Sequence, residues 1–271
     1  MLKRLTLISS ITVALVSGAN ATPDQQGLAP SSPWNVDYAE SECRLTRTFG
    51  TGPEALMLRI SRGINLKAVE YTIAGKSLKI RDWNYDALLQ LDPGGASYKF
   101  PALWYRLPTG EAALRVFGES GLKPEETAAT RTLSLAVEGA EPLQLAVGNL
   151  EKPFAALDAC YDDLLTTWGI DPANIRALKT IAEPVDIRSW HLFENGWARD
   201  AAKDKKWMTV RLDIDDTGRA KSCKALASSG SVELDAKVCA LAIKNARLLP
   251  AVSASGEKVE APIVVNIQMR E

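Results

Sequence analysis

Histidine is almost missing from this chain: His191 is the single one in 271 residues. Any Ser-His-Asp or Cys-His nucleophile arrangement would have to use it, yet it stands between Trp190 and Leu192, where packing against a domain surface accounts for it. Cysteine is sparse as well. There are four, with no Cys-x-x-Cys pair among them, so the donor set of a structural zinc site is absent and no metal is expected. Neither sign of charge is in excess, since 32 basic residues face 33 acidic ones. Nucleic acid is therefore not an expected partner, because its phosphates call for a dense Lys/Arg surface. Beyond the first two dozen positions no apolar run approaches the ~20 residues of a membrane helix, which excludes polytopic insertion. With 46% apolar and 24% charged residues, the chain reads as globular, as one large domain or two of ordinary size.

What is present begins at the N-terminus. Met1-Leu-Lys-Arg4 is basic, Leu5 to Val16 is mostly apolar, and Ser17 to Ala21 ends in Ala-x-Ala. This is the pattern of a secretory signal peptide over 1–21, cut after Ala21. As a membrane anchor the apolar stretch falls short, reaching about 18 Å as a helix against roughly 30 Å of hydrocarbon. Export to the periplasm would leave a mature chain of slightly acidic net charge and makes disulfides the expected state of Cys43, Cys160, Cys223 and Cys239. Four cysteines allow three pairings. Their grouping into an early and a late couple favours Cys43 with Cys160 and Cys223 with Cys239.

A flexible lead over 22–33 precedes a region, 34–169, of short alternating runs. Leu56, Leu58 and Ile60 alternate with Met57 and Arg59; Val69, Tyr71 and Ile73, then Leu133, Leu135 and Val137, then Leu143, Leu145 and Val147 repeat the period of two. Turn residues such as Gly63, Gly75, Pro93-Gly94-Gly95 and Pro108-Thr-Gly110 bound the runs, which predicts an antiparallel β-rich domain. At Pro153 the period changes. Phe154, Leu157, Tyr161, Leu164, Leu165 and Trp168 recur at helical spacing, with Gly169 as the stop, and the stripe reads as core rather than as a ligand box. Asp158, Asp162 and Asp163 fall off it and read as an exposed acidic face. Residues 170–204 lose periodicity and read as a connector with one short helix.

The last unit, 205–271, carries its own start and stop signals. Met208, Val210, Leu212 and Ile214 alternate with polar residues, Asp215-Asp-Thr-Gly218 is a hairpin turn, and Arg219 to Ala227 returns as a second strand. Ser228-Ser-Gly-Ser231 offers a turn and an N-cap, and Glu233 and Asp235 suit the first helical turn. The helix is expected to run to about Arg247, with Leu234, Val238, Leu241 and Ala242 on one face and Pro250 as its stop. Val259 to Arg270 completes a ββαβ unit as the last strand.

The string Val210-Arg-Leu-Asp-Ile214, Asp216-Thr-Gly218, Cys223, Ser228-Ser-Gly230, Leu234-Asp235, Cys239, Ala246-Arg247, Pro250-Ala251, Gly256 and Val259 resembles the C-terminal domain of bacterial TonB-family proteins. Upstream, Trp34-Asn-Val-Asp-Tyr38, Cys43, Arg47, Phe49-Gly50, Cys160, Leu164-Leu165 and Trp168-Gly169 look like the exported β-rich module found ahead of this domain in some proteobacterial members. The resemblance implies an α+β protein whose small C-terminal domain binds envelope proteins, with an outer-membrane transporter segment as the partner in the family's energy transducers. The implied mode is β-strand addition, and it points to Val259, Ala261, Ile263, Val265 and Ile267 as the partner-binding strand. Pro262, which lacks a donor, fits an edge. A homodimer would be another way to cover that edge.

Two features upstream differ from the transducers. The chain has no Pro/Lys/Glu spacer, and its apolar N-terminal segment reads as cleavable, which makes a soluble periplasmic adaptor without energy transduction the alternative expectation. A third class, a secreted aspartic-type hydrolase, rests on Asp216-Thr-Gly218 alone; such a site needs two copies, and the turn explains the residues without catalysis. Gly50-Thr-Gly52 fails as a dinucleotide loop, since Pro53 follows and Ala55 stands where the third glycine belongs. The sequence thus predicts a non-enzymatic binding protein, with no catalytic residue and no cofactor.

Overall fold

The computed structural model describes residues 27–39, 41–62, 69–79, 84–93, 95–118, 122–138, 140–185 and 207–268. The signal segment, part of the lead, and the connector residues Trp190, His191 and Trp197 lie outside these. Nine strands form the first unit: β1 (Asn35–Tyr38), β2 (Cys43–Phe49), β3 (Leu56–Arg62), β4 (Val69–Gly75), β5 (Asn84–Asp92), β6 (Ala96–Arg106), β7 (Ala112–Gly118), β8 (Thr132–Val137) and β9 (Leu143–Leu145). The period-two residues that argued for strands face inward, except that Leu143 is half-buried: Leu58, Ile60 and Ile73 are fully enclosed, and Tyr71 and Leu135 are 1% exposed.

All neighbours in the sheet are antiparallel, in the order β1-β2-β3-β4-β7-β6-β5-β8-β9. Residues just before β1 join its two ends. The Leu28 N–H donates to Gln144 O at 2.7 Å and Leu28 O accepts from Ala146 at 3.0 Å, while Ala29 O accepts from Gly50 and the Ser31 N–H donates to Thr48 O. The sheet therefore closes into a barrel, which leaves few unpaired edges. Arg47 pins this seam. Its guanidinium donates to Ser32 O and to Val147 O, both at 2.9 Å, and lies over the rings of Trp34 and Phe49. That gives the Trp34, Arg47 and Phe49 pattern a physical role in closing the barrel.

Helix α1 (Pro124–Ala129) links β7 to β8, and α2 (Glu151–Thr167) packs across one end of the barrel. The latter starts two residues before Pro153, where Asn149 Oδ1 accepts the Glu151 N–H at 2.8 Å. It stops at Gly169, whose φ of 73° is left-handed. Its apolar stripe is buried, and Cys160 is in bonding geometry with Cys43 on β2, Cα atoms 6.1 Å apart. Tyr161 seals the same contact: its hydroxyl donates to Cys43 O and accepts the Arg62 N–H. Burial pushes that phenol up to about 12, against the pull of the two backbone groups. The expected exposed acidic face is corrected at Asp158. Its Oδ1 is 3.2 Å from Arg62 Nε, and burial raises its pKa while Arg62 opposes the rise.

After α3 (Pro172–Arg176), which contacts α2, the C-terminal unit has β12 (Trp207–Ile214), β13 (Ala220–Ala227) and α4 (Val232–Asn245), with β17 (Ala261–Gln268) last. Its sheet runs β13-β12-β17, antiparallel throughout. Met208, Val210, Leu212 and Ile214 meet Leu234, Val238 and Ala242 of α4 in one core. Cys223 of β13 is in bonding geometry with Cys239 of α4. The Ser-Ser-Gly and Leu-Asp motifs act together at the head of α4. Ser231 Oγ accepts the Leu234 N–H, and Asp235 Oδ1 accepts both the N–H and the hydroxyl of Ser229, at 2.9 and 2.6 Å.

Three expectations are corrected here. Helix α4 ends at Asn245, before Arg247, because Arg247 bridges to Arg219 and the Leu248 N–H is taken by Gly218 O. The segment read as connector is structured over its first part: β10 (Leu178–Thr180) and β11 (Glu183–Pro184) pair with β15 (Ala251–Ser253) and β14 (Leu248–Leu249). Finally, Val259 is not on the last strand. It lies in β16 (Lys258–Val259), opposite Ala251, because the turn from Ser253 to Glu257 folds the chain back onto β15.

Candidate partner-binding edge

Among the described residues, strand β17 is held on one side only. In register, Pro262 faces Asp213, Val264 faces Arg211 and Asn266 faces Thr209 of β12; among the described residues no strand pairs with its other side. Antiparallel ladders alternate, so every second residue of β17 turns its N–H and C=O away from β12.

The side chains divide between two faces. Ala261, Ile263 and Ile267 are 3–6% exposed, and Ile263, Ile267 and the half-buried Val265 pack on the core under α4. The four expected positions that do lie on β17 are therefore core side chains, which a docked strand would not read. The opposite face carries Pro262, Val264 and Asn266. Val264 packs on a cluster of Leu165, Trp168, Ile170 and Ile175 from the end of α2 and from α3, and Asn266 is exposed, its Oδ1 accepting the Thr209 hydroxyl at 2.7 Å. Of these three the sequence reading named only Pro262, as an edge residue; the alternation itself places Val264 and Asn266 beside it, once the strand's core face is assigned.

Arg211 secures this arrangement. From the middle of the sheet its Nη1 donates to the carbonyls of Trp168 and Gly169 at 3.0 and 2.8 Å, at the C-terminal end of α2 where a helix dipole favours a cation. Its Nε donates to Asp213 Oδ1 at 2.8 Å.

Between the outer face of β17 and the barrel runs a cleft of about 200 Å³, lined by Glu42, Arg62, Glu70, Arg115, Val264 and Asn266 among others. Its charges are met locally. Glu70 pairs with both Arg59 and Arg115, and Arg62 with Asp158.

The Asp-Thr-Gly sequence sits at the β12–β13 turn. Asp215, not Asp216, makes the bonds: its Oδ1 accepts the N–H groups of Thr217 and Arg219, both at 2.9 Å, and the Thr217 hydroxyl at 2.7 Å. The Arg219 N–H foremost, then the Thr217 hydroxyl, hold the Asp215 carboxyl below its ordinary value. Asp216 is exposed at the tip. Among the described residues no group of three His, Cys, Asp or Glu side chains is placed to hold a metal, and no helix is long and apolar enough to cross a membrane.

Residues 207–269 match the family model of the Gram-negative bacterial TonB protein C-terminal. The last quarter of the chain is a TonB-type C-terminal domain. This family is a non-enzymatic binding and energy-transduction domain, and its proteins are associated with the cell envelope. The chain matches no curated protein and no solved structure.

Proposed function

We propose that this protein is exported to the periplasm and uses its TonB-type domain to bind an envelope protein by strand addition along β17, in a role linked to outer-membrane transport. The observation that carries this reading is the side of β17 that no strand among the described residues pairs with, a row of backbone donors and acceptors of the kind an extended peptide completes. A segment of an outer-membrane transporter is the partner that the domain family suggests.

Within this reading an adaptor, rather than a force transducer, is favoured by one contact. The second face of the TonB-type sheet packs on α2 through Val264, Leu226 and Trp168, so a strand added at β17 would also meet the barrel side of the cleft. Binding would thus couple the partner to the barrel module.

A photo-reactive amino acid at Asn266, introduced into the full chain in intact cells, tests the proposal. An adduct with an outer-membrane protein, mapped to an extended segment of it, is the expected result. Adducts with a second copy of this chain alone, or none, overturn it.

A further inference from the structure

We infer that the strand added at β17 carries an acidic side chain, which the cleft receives between Arg115 of the barrel and Asn266 of β17. This rests on the strand-addition reading and gives it a selectivity that the backbone ladder alone lacks. An added strand alternates in step with β17, so every second side chain falls on the face of Val264 and Asn266. That face lines the cleft, and the barrel side is formed by outward residues of β3, β4 and β7, with Ser61, Glu70 and Arg115 among them.

The charges of that wall are paired in unequal number. One carboxylate, Glu70, serves two guanidinium groups: its Oε1 is 3.2 Å from Arg59 Nη2, and its Oε2 is bonded to Arg115 Nη2. One positive charge is therefore in excess. Arg115 is the more open of the pair, its side chain 39% exposed against 25% for Arg59. Arg62 adds nothing to the excess, since Asp158 faces it. At the turn between β1 and β2 the imbalance is reversed, with Glu42 and Asp37 sharing Arg44. An incoming acid is drawn to Arg115 and away from that turn.

Donors stand ready on both sides of the cleft. A guanidinium has five N–H groups in a fork that fits a carboxylate, and among the described residues Arg115 makes one hydrogen bond, from Nη2 to Glu70. Its guanidinium carbon lies 4.8 Å from the centre of the Phe117 ring, a contact that steadies the fork and takes up no donor. Across from it Asn266 is exposed, and with its Oδ1 on the Thr209 hydroxyl its Nδ2 is left to donate. At the ~30 Å³ that one water occupies in the liquid, a cleft of about 200 Å³ has room for one acidic side chain. Arg59, Glu70, Arg115 and Asn266 all stand within strands, which fix their places.

The test titrates the full-length protein with a heptapeptide of alternating threonine and valine, capped at both ends, with glutamate or glutamine at its centre. The backbone amide resonances of Val264 and Asn266 report binding, and the two probes differ in one side-chain charge alone. Both are expected to shift those amides saturably, the glutamate probe binding about tenfold more tightly, the margin of a charged over a neutral hydrogen bond. In Arg115→Gln the margin should vanish, and in Asn266→Ala it should narrow. Equal binding of the two probes, or a margin that survives in Arg115→Gln, overturns the inference and leaves strand addition standing. No shift with either probe overturns both. Where Arg115→Gln does not fold, the margin in the parent at rising salt decides: it should shrink as ions screen the pair, and a margin indifferent to salt overturns the inference.

Discussion

Gly218 and Leu248 are in direct backbone contact. Gly218 O accepts the Leu248 N–H at 2.9 Å, and a β-carbon on residue 218 would lie 1.8 Å from Leu248 O. The φ of Gly218 is 84°, left-handed as well. Alanine there meets both penalties, and since neither neighbour is the end of a flexible side chain, relief requires the β12–β13 turn to move off β14. Gly218→Ala is expected to lower the stability of the C-terminal unit by at least about 2 kcal/mol, from positive-φ strain and overpacking together. Urea denaturation measured by circular dichroism checks this; an unchanged midpoint refutes the contact.

The same turn sets an acid sensitivity. Because the Asp215 carboxyl is held below its ordinary value, its contribution is complete above about pH 4 and is lost as pH falls through the lowered value. Asp215→Asn mimics the protonated form. Its denaturation midpoint should fall below that of the parent at pH 7, and the gap should narrow as pH falls through the lowered value. A gap that stays constant over that range would show that the charge plays no part.

The docking of the two units hangs on Arg211. With its side chain 22% exposed and its guanidinium on the Trp168 and Gly169 carbonyls, Arg211→Ala removes charged hydrogen bonds worth about 1.5–3 kcal/mol. The expected calorimetric result is that barrel and TonB-type unit melt as separate transitions, with shifted resonances at Trp168 and Val264. A single unchanged transition would assign the docking to the apolar cluster alone.

Much of this architecture is legible in the sequence because the signals are local. A period of two wrote β3, β4 and β8 into Leu58, Tyr71 and Leu135; Ser231, Asp235 and Gly218 marked the ends and turns of the last unit. Barrel closure was not legible, since it pairs Leu28 with Leu145 and Phe49 with Pro30 over distances that no local pattern encodes. Nor were β10, β11 and β16, at two or three residues each, long enough to display any period. Asp158 looked exposed from its helix alone, and only the arrival of Arg62 from β3 makes it half-buried and paired. The last strand was legible from its alternation, but not which of its faces is core; that depends on where α4 packs.

That last distinction yields the sharpest prediction about β17. Pro262 has no N–H, and such a residue is accommodated where the missing donor faces away from the neighbouring strand. Alternation then turns the backbone groups of Val264 and Asn266 outward, and those of Ile263, Val265 and Ile267 toward β12. Proline at Val264 removes one outward donor, whereas proline at Val265 removes a rung of the sheet, at a cost of about 3 kcal/mol or more if it compares with proline in a helix interior. Val264→Pro is therefore expected to keep the folded circular dichroism spectrum and to lose the outer-membrane adduct formed at Asn266. Val265→Pro is expected to lose the fold of the TonB-type unit. If Val264→Pro folds and still forms the adduct in full, the partner does not add a strand to β17, and its contact must run through side chains of the cleft.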